Sequence, residues 1–469
     1  MPQFVGSINQ YPGRASLSWY AGLIIAGFTA LYLIPGCAAD PEQPITALDA
    51  LFTSTSASCV TGLTVRSTPH DFSLLGQGII LAQIQLGGIG IMTVTTFIVV
   101  QFNRSGSMRQ RKVIAQTLGA GEEGDLRSIL RNVLVMTFLC EAAGFGLLTA
   151  YNHANYDHFA ELGVWATRGE ATWHALFHSV SAFCNAGFAL HDQSLVPFAD
   201  SFVVNATIGA LVIVGGLGFP VVIDLWKSRK RPGPDRWAGL QLHTKIMLIG
   251  TGVLLAIGFV SFLALESGNV LANDPLRVRV YKAAFHSLTC RTAGFNTVEI
   301  AEMTNAMLFI SVLLMMIGAG PCSTGGGFKV TTAAIIALRA WATFQGYTRV
   351  NLFRRTLPIT SIERAVATAM LFVTLGGVAL TALLVIEQTG FGHIGSDGLF
   401  LDALFEVISA LGTVGLSTGI TATLSDTSRV IMIFLMILGR LGPITTFVAL
   451  SHSERSERVE YPNEEPLVG

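Results

Sequence analysis

Ser56-Ala57-Ser58-Cys59-Val60-Thr61-Gly62-Leu63 is the first of four related stretches in this chain. The others read Ser181-Ala182-Phe183-Cys184-Asn185-Ala186-Gly187-Phe188, Leu288-Thr289-Cys290-Arg291-Thr292-Ala293-Gly294-Phe295 and Ser409-Ala410-Leu411-Gly412-Thr413-Val414-Gly415-Leu416. A phenylalanine stands upstream of each, at Phe52, Phe177, Phe285 and Phe405, and the third copy is one residue shorter between Phe and Gly. Each copy lies between two apolar segments long enough to cross a membrane. A helix–loop–helix hairpin used four times can close into a ring, and four backbone segments converging on its axis can replace the water around a small cation.

The composition agrees. Of 469 residues, 51% are hydrophobic and 13% charged, against about 25% charged in soluble proteins. Apolar runs cover 17–34, 74–100, 129–150, 202–223, 246–265, 307–317, 366–386 and 430–450, and a span needs about 20 such residues. The expected class is an all-α polytopic membrane protein: four parallel helix–pore-loop–helix repeats, pseudo-fourfold around one pore. A net charge of -1 with no basic arm argues against a nucleic-acid partner. The six cysteines sit beside the repeated glycines or near apolar runs, as small buried hydrophobes rather than a disulfide framework. Arg14, an apolar stretch and Ile34-Pro35-Gly36-Cys37 mimic a lipoprotein signal, but the first hairpin needs that stretch, so an uncleaved span is expected.

Basic residues occupy alternate connections: Arg104, Arg109, Arg111 and Lys112; Lys227, Arg229, Lys230, Arg231 and Arg236; Arg339, Arg349, Arg354 and Arg355; Arg455 and Arg458. Acids such as Asp40, Glu42, Asp157, Glu161, Glu266, Asp274, Asp397 and Asp402 occupy the opposite ones. Positive charge stays in the cytoplasm, so both termini are expected there and the glycine motifs enter from outside. The repeats run 17–103, 127–227, 242–340 and 362–451, with a cytoplasmic tail at 452–469. Before each glycine a short helix is predicted, at 47–57, 173–183, 281–289 and 400–411. Such half-helices are tolerated only where their loose ends line water or protein, and their C-terminal ends favour a cation.

A dehydrated monovalent cation needs about eight oxygen neighbours, and neutral carbonyls hold it strongly enough to enter and weakly enough to leave. Aligning successive carbonyls demands unusual backbone angles, which glycine reaches at little cost. The expected filter is Val60, Thr61 and Gly62; Asn185, Ala186 and Gly187; Thr292, Ala293 and Gly294; Thr413, Val414 and Gly415.

The second spans contain Gly87-Gly88-Ile89-Gly90, Gly215-Gly216-Leu217-Gly218, Gly318-Ala319-Gly320-Pro321 and Gly439-Arg440-Leu441-Gly442-Pro443. In the first two copies the small residues read as helix-packing contacts. In the third, residues 304–339 would make about 54 Å of helix, against a core about 30 Å thick. Its centre, Gly318-Ala319-Gly320-Pro321-Cys322-Ser323-Thr324-Gly325-Gly326-Gly327-Phe328-Lys329, cannot stay helical. An unwound loop at 318–329 lining a wet cavity below the filter is expected to gate. It lacks the Gly-Lys-Ser/Thr ending of a phosphate-binding loop, and a purely structural kink is the other reading. Arg440 lies deep in the last span, where arginine costs about 2.5–3.5 kcal/mol. It is expected to hydrogen-bond loop carbonyls near 318–323 or to pair with Glu141. Lys329 serves the gate or simply marks where the helix resumes. His174, His178, His286 and Glu406 read as polar neighbours of the outer vestibule, not metal ligands.

These motifs, with the Pro321–Gly327 and Gly439–Pro443 stretches, resemble the bacterial Trk/Ktr/HKT superfamily of potassium transporters over nearly the whole chain, most of all its KtrB (TrkH-type) branch. The tail from Tyr461 is similar too. The resemblance implies a bacterial inner-membrane subunit translocating potassium, an intramembrane gating loop, a homodimer, and a cytoplasmic KtrA/TrkA-like nucleotide-binding subunit, with no nucleotide bound by this chain. In that family a serine at the first filter position goes with sodium permeation, so Gly62 implies potassium selectivity. Asn185 and Arg291 are expected to make the filter asymmetric. The basic connections suit docking of a regulator and equally satisfy the positive-inside rule.

One rival is a symporter coupling potassium to sodium or protons by alternating access; such folds usually carry inverted repeats, whereas these are parallel. The other is an enzyme, but Asp224 and Glu141 have no paired catalytic partner in any readable motif. Gly62→Ser should lower the potassium-over-sodium permeability ratio in proteoliposomes about tenfold, or about 1.4 kcal/mol; an unchanged ratio would refute the reading of Gly62.

Overall fold

The computed structural model describes residues 12–40, 42–102, 126–229, 233, 235–388 and 398–442. The tail 452–469, the first basic connection with Arg104, Arg109, Arg111 and Lys112, and also Lys230, Arg231, Asp397 and Pro443 lie outside them.

Four units follow one another along the chain. In the first, α1 (Pro12–Leu33) leads to a short α2 (Ala47–Ser58) and then α3 (Leu74–Phe102). The second has α4 (Leu126–Ala154), short α5 (Arg168–Cys184), then α6 (Phe202–Leu217) and α7 (Phe219–Ser228). In the third, α8 (Leu242–Glu266) is followed by short α9 (Leu276–Thr289), α10 (Asn305–Met316) and α11 (Val330–Phe344). The fourth has α12 (Ile359–Glu387), short α13 (Leu399–Gly412) and α14 (Asp426–Leu441). The leading helices contribute 16–33, 130–154, 242–266 and 359–387, each long and apolar enough to cross a membrane.

Local chemistry starts each element. The helices that follow the glycine loops are all capped by a hydroxyl: Ser73, Ser201, Thr304 and Ser425 accept the N–H of Gly76, Val204, Met307 and Ser428 at 3.3–3.4 Å. Such caps satisfy N–H groups that the helix leaves open. α5 begins earlier than expected because the cap Thr167 accepts the N–H of Glu170 while the Glu170 carboxylate takes the N–H of Ala166, one residue before the cap, a variant of the capping box. α9 also begins earlier, behind Pro275.

The units close on themselves. Each post-loop helix packs on the short helix of the next unit: α3 on α5, α6 on α9, α10 on α13, and α14 back on α2. An ion pair helps that last closure, with Arg429 of α14 3.1 Å from Asp49 of α2, which Arg66 also holds at 2.9 Å. The core is correspondingly built on Phe52, Phe177, Phe285 and Phe405, all buried.

Two features differ from the sequence expectation. The second unit's helix, expected to stay continuous, bends by 99° between α6 and α7. Gly218 takes φ 89, and Pro220 in the next turn has no N–H for a helical bond. Gly442 ends α14 with similar angles, φ 80 and ψ 133. A two-strand hairpin, β1 (Asn351–Leu352) and β2 (Arg355–Thr356), turns through Phe353 and Arg354, both at positive φ. The expected break in the third unit lies between Met316 and Val330.

In the last two units the leading helix ends in a glutamate that holds the start of the post-loop helix. Glu266 accepts both the N–H and the hydroxyl of Thr304 at 2.9 and 2.7 Å. Glu387 does the same for Ser425 at 3.0 and 2.7 Å. Hydrogen bonds to a charged group contribute about 1.5–3 kcal/mol each. Glu266 is fully buried, so Glu266→Ala should cost about 3 kcal/mol and Glu387→Ala less, read as detergent thermal-unfolding shifts; equal, negligible shifts would contradict this.

Candidate ion-conduction site

Three of the four short helices end alike. Val60, Asn185 and Thr413 take φ 55, 58 and 48, the left-handed region. Around them run paired closing bonds: Thr61 N–H to Ser56 O and Val60 N–H to Ala57 O, Ala186 to Ser181 and Asn185 to Ala182, Val414 to Ser409 and Thr413 to Ala410. This is the Schellman closure, usually made with glycine. The third copy is one residue shorter and closes in a smaller ring, Ala293 N–H to Thr289 O at 3.1 Å beside Arg291 N–H to Leu288 O, with Thr292 at φ 66. The shorter cap absorbs the deletion and keeps Gly294 level with its counterparts. Positive φ at a β-branched valine or threonine is an outlier, so packing holds these residues there.

Two residues on, Gly62, Gly187, Gly294 and Gly415 take φ 99, 71, 79 and 90. They meet in chain order around a ring. A Cβ on Gly62 would lie 2.5 Å from Ala186 O, one on Gly187 3.1 Å from Ala293 O, and one on Gly294 2.6 Å from Val414 O. One on Gly415 would collide with Thr61 O. The carbonyls of Thr61, Ala186, Ala293 and Val414 thus each stand beside the glycine of the neighbouring loop. Hydroxyls brace the loops from behind: Ser56 and Ser409 accept the N–H of Gly62 and Gly415 at 3.1 Å, and Ser181 and Thr289 donate to Phe188 O and Phe295 O.

On one side of the ring the unwound segment of the third unit crosses. Gly318 N–H bonds Phe328 O at 2.7 Å, closing it into a loop. Gly320 and Thr324 donate to Gly216 O and Gly215 O, Phe219 donates to Cys322 O, and Gly327 to Gly439 O. Gly325 and Gly326 sit against the side chains of Thr292 and Thr413 so closely that a Cβ on either would overlap a threonine hydroxyl. The Thr324 hydroxyl bonds Asn185 Oδ1 and Phe183 O. Ser323 bonds Gly320 O within the loop, where Ala319 and Cys322 are buried beside Pro321.

Arg440 is 2% exposed. Its guanidinium donates to Thr324 O, to Gly87 O at 2.9 Å and to the Tyr20 hydroxyl at 3.2 Å. The loop carbonyl it takes is thus Thr324, just beyond the expected 318–323. Glu141 bonds Gln85 instead. Lys329 donates to Gly325 O and Gly326 O at 2.8 and 3.1 Å. Asn185 and Arg291 also turn toward the loop: the Arg291 guanidinium reaches Gly318 O at 3.4 Å. Neither side chain lines the cavity on the ring's other side.

A family model described as TrkH, cation transport protein, matches residues 27–460. The chain belongs to the TrkH cation transport family. It is 37% identical over 423 residues to Ktr system potassium uptake protein B of Vibrio alginolyticus, spanning 90% of this chain and 88% of that protein. It is 33% identical over 460 residues to the potassium/sodium uptake protein NtpJ of Enterococcus hirae, spanning 95% and 96%. The crystal structure of the potassium transporter TrkH from Vibrio parahaemolyticus shares the fold, with a TM-score of 0.69 at 20% identity over 93% of this chain and 84% of that one. This TrkH-family chain is therefore a multi-pass membrane protein of a cation-transporting family.

The other side of the TrkH-family ring opens into a cavity of about 300 Å³ that touches Gly62, Gly187, Gly294 and Gly415. Asp192 links two of its walls, 3.0 Å from His70 and bonded to the Ser67 hydroxyl. Of the expected vestibule residues, His174 meets His191 at 3.1 Å, while His286 is buried against Phe262 and Ser311, away from the cavity. Among the described residues no group of three or more His, Cys, Asp or Glu could hold a metal ion. Among the described residues no disulfide forms; five cysteines are buried and Cys140 partly so. Sequence reasoning missed Tyr20, whose hydroxyl shares Gly87 O with Arg440. No motif marks it.

His191 lies outside the spans. Burial, and His178 nearby, hold its imidazole down from 6.5 to about 3, with Asp192 opposing. The folded state therefore favours the neutral ring, and stability present above pH 6.5 is lost as pH falls toward 3. His191→Gln should flatten the fall in melting temperature between pH 6.5 and pH 4; an unaltered pH profile would contradict this.

Proposed function

We propose that this chain is the potassium-translocating subunit of an uptake system, with the glycine ring as its selectivity filter and the loop beneath as its gate. The observation that carries the reading is the cyclic placement of four carbonyls, each beside the glycine of the loop before it in the ring. The repeats at 17–103, 127–227, 242–340 and 362–451 each supply one quarter. Short helices point their negative ends at the ring, which favours a cation there without a full charge to trap it. Buried polar atoms at Asn185 Nδ2, Thr292 Oγ1 and Thr413 Oγ1 have no protein partner among the described residues. Such groups are costly in a dry interior and offer partners to water or a cation once the loop moves off Thr292 and Thr413. Relatives named as potassium uptake proteins support potassium as the cargo.

The loop closes the path on the side of the basic connections, taken as the cytoplasm. Arg440, Lys329 and Arg291 all donate to its carbonyls. Opening requires these bonds to exchange for water. A cytoplasmic nucleotide-binding subunit, suggested by relatives named as parts of a Ktr system, would act by binding one loop state better than the other. Each protomer would hold one such pore within a homodimer in the bacterial inner membrane. Sodium coupling is the second reading, favoured by the relative named potassium/sodium uptake protein; potassium flux that requires sodium on the same side would decide for it.

Arg440→Ala frees Thr324 O while Gly87 O keeps the Tyr20 hydroxyl at 2.8 Å, so the scaffold should survive and the gate loosen. Potassium flux into proteoliposomes should rise about tenfold, the effect of about 1.4 kcal/mol; unchanged flux in a folded variant would refute the clasp. Deleting 318–327 should raise flux and weaken its dependence on a regulatory subunit, read as flux with and without that subunit; a silent or equally regulated protein would count against gating.

A further inference from the structure

We propose that Glu406 and His178 are positioning residues for the filter, anchoring two opposed loops so that the ring cannot contract around a smaller cation. The proposal rests on the reading of the ring as a potassium filter. Both residues directly follow the repeated phenylalanine, at a position occupied by Thr53, His178, His286 and Glu406 in the four units. Glu406 is fully buried. One of its oxygens accepts the Ser417 hydroxyl and the Thr418 N–H at 3.2 Å, and the other accepts the Thr421 hydroxyl at 2.7 Å. His178 Nδ1 lies 2.8 Å from His174 O, a group that only accepts, so Nδ1 carries the hydrogen. Nε2 is left as the acceptor, and the Leu190 N–H lies 3.4 Å from it.

Leu190 and Thr418 are equivalent: each stands three residues beyond its filter glycine, Gly187 or Gly415. The same backbone N–H is thus tied to the same pore-helix position in the second and fourth units, by chemically different side chains. The first and third units lack this tie among the described residues. Thr53 Oγ1 is buried with no partner, and His286 Nε2 is 3.0 Å from Ser311 on a different helix. The ring runs in chain order, so the tied loops face each other across it and the untied loops face each other along the other diagonal. A carbonyl cage prefers potassium to sodium to the extent that closing on the smaller ion is penalised. Two fixed, opposed loops supply such a penalty along one diagonal.

The test uses the full chain in proteoliposomes, reading the potassium-over-sodium permeability ratio, the half-saturating potassium concentration and the maximal flux. Glu406→Leu should lower the ratio about tenfold and raise half-saturation. Glu406→Gln keeps an oxygen for Ser417 and Thr418 and should restore the ratio to within about threefold of wild type. His178→Leu should lower it too. Ser417→Ala/Thr421→Val, which leaves the pore helix intact, serves if Glu406→Leu does not fold and should also lower the ratio. An unchanged ratio in both the Glu406→Leu and Ser417→Ala/Thr421→Val proteins overturns the proposal. So does an equal loss in Glu406→Gln and Glu406→Leu, which would assign the effect to charge rather than position. Absence of potassium-selective flux in the wild type would instead overturn the filter reading itself.

Discussion

Close approach of backbone to backbone at Gly62, Gly187, Gly294 and Gly415 is the constraint around which the rest of the molecule is arranged. Carbonyls can crowd one point only if nothing larger than hydrogen separates the strands that carry them. The four loops satisfy this in turn, each placing a carbonyl against its neighbour's glycine. Everything outside the ring acts to hold that geometry: short helices that end there, hydroxyls that brace the loops, and post-loop helices that wedge against the adjoining unit. Gly87, Gly215 and Gly439 of those helices lie so close to Ser58 O, Phe183 O and Leu411 O that a methyl group would not fit.

The ring is strained as well as crowded. Val60, Thr292 and Thr413 are held at positive φ two residues before the glycines, a conformation costing about 1–3 kcal/mol each. The change of chain direction there precedes the carbonyls that stand beside the neighbouring glycines. The loop on the other side has the opposite character. It has few regular bonds of its own: Arg440, Arg291 and the N–H of Phe219 donate to it from elsewhere, its own Lys329 folds back onto Gly325 O and Gly326 O, and the N–H groups of Gly320, Thr324 and Gly327 donate outward. A segment tied by exchangeable polar bonds can change state at lower cost than one locked by packing, as the proposed gate requires.

Much of this was legible in the chain itself. Four glycines after short apolar helices marked the loops, and the run from Gly318 to Gly327 exceeded what a continuous helix could tolerate. Arg440 was too deep to be a surface charge. Other features were hidden for physical reasons. β-branched residues predict extended or helical backbone, so the left-handed turns at Val60, Thr292 and Thr413 carry no local signal. The missing residue of the third repeat is invisible in the ring because a tighter helix cap replaces a wider one. The break at Gly218 was readable from Pro220, yet the neighbouring glycines also fit close helix packing. Asn185 and Arg291 sit in filter motifs, but their side chains serve the loop, a distinction that spacing alone does not make. Glu406 offered a buried acid and no hint that its carboxylate would accept from Ser417, Thr418 and Thr421.

The central claim concerns where a dehydrated cation rests. Anomalous scattering from crystals or ordered arrays grown with rubidium or thallium in place of potassium tests it most directly. The account predicts density on the axis of the ring, coordinated by the carbonyls of Thr61, Ala186, Ala293 and Val414, and its loss when potassium is restored. Density confined to the outer cavity, or scattered away from the four glycines, would contradict it.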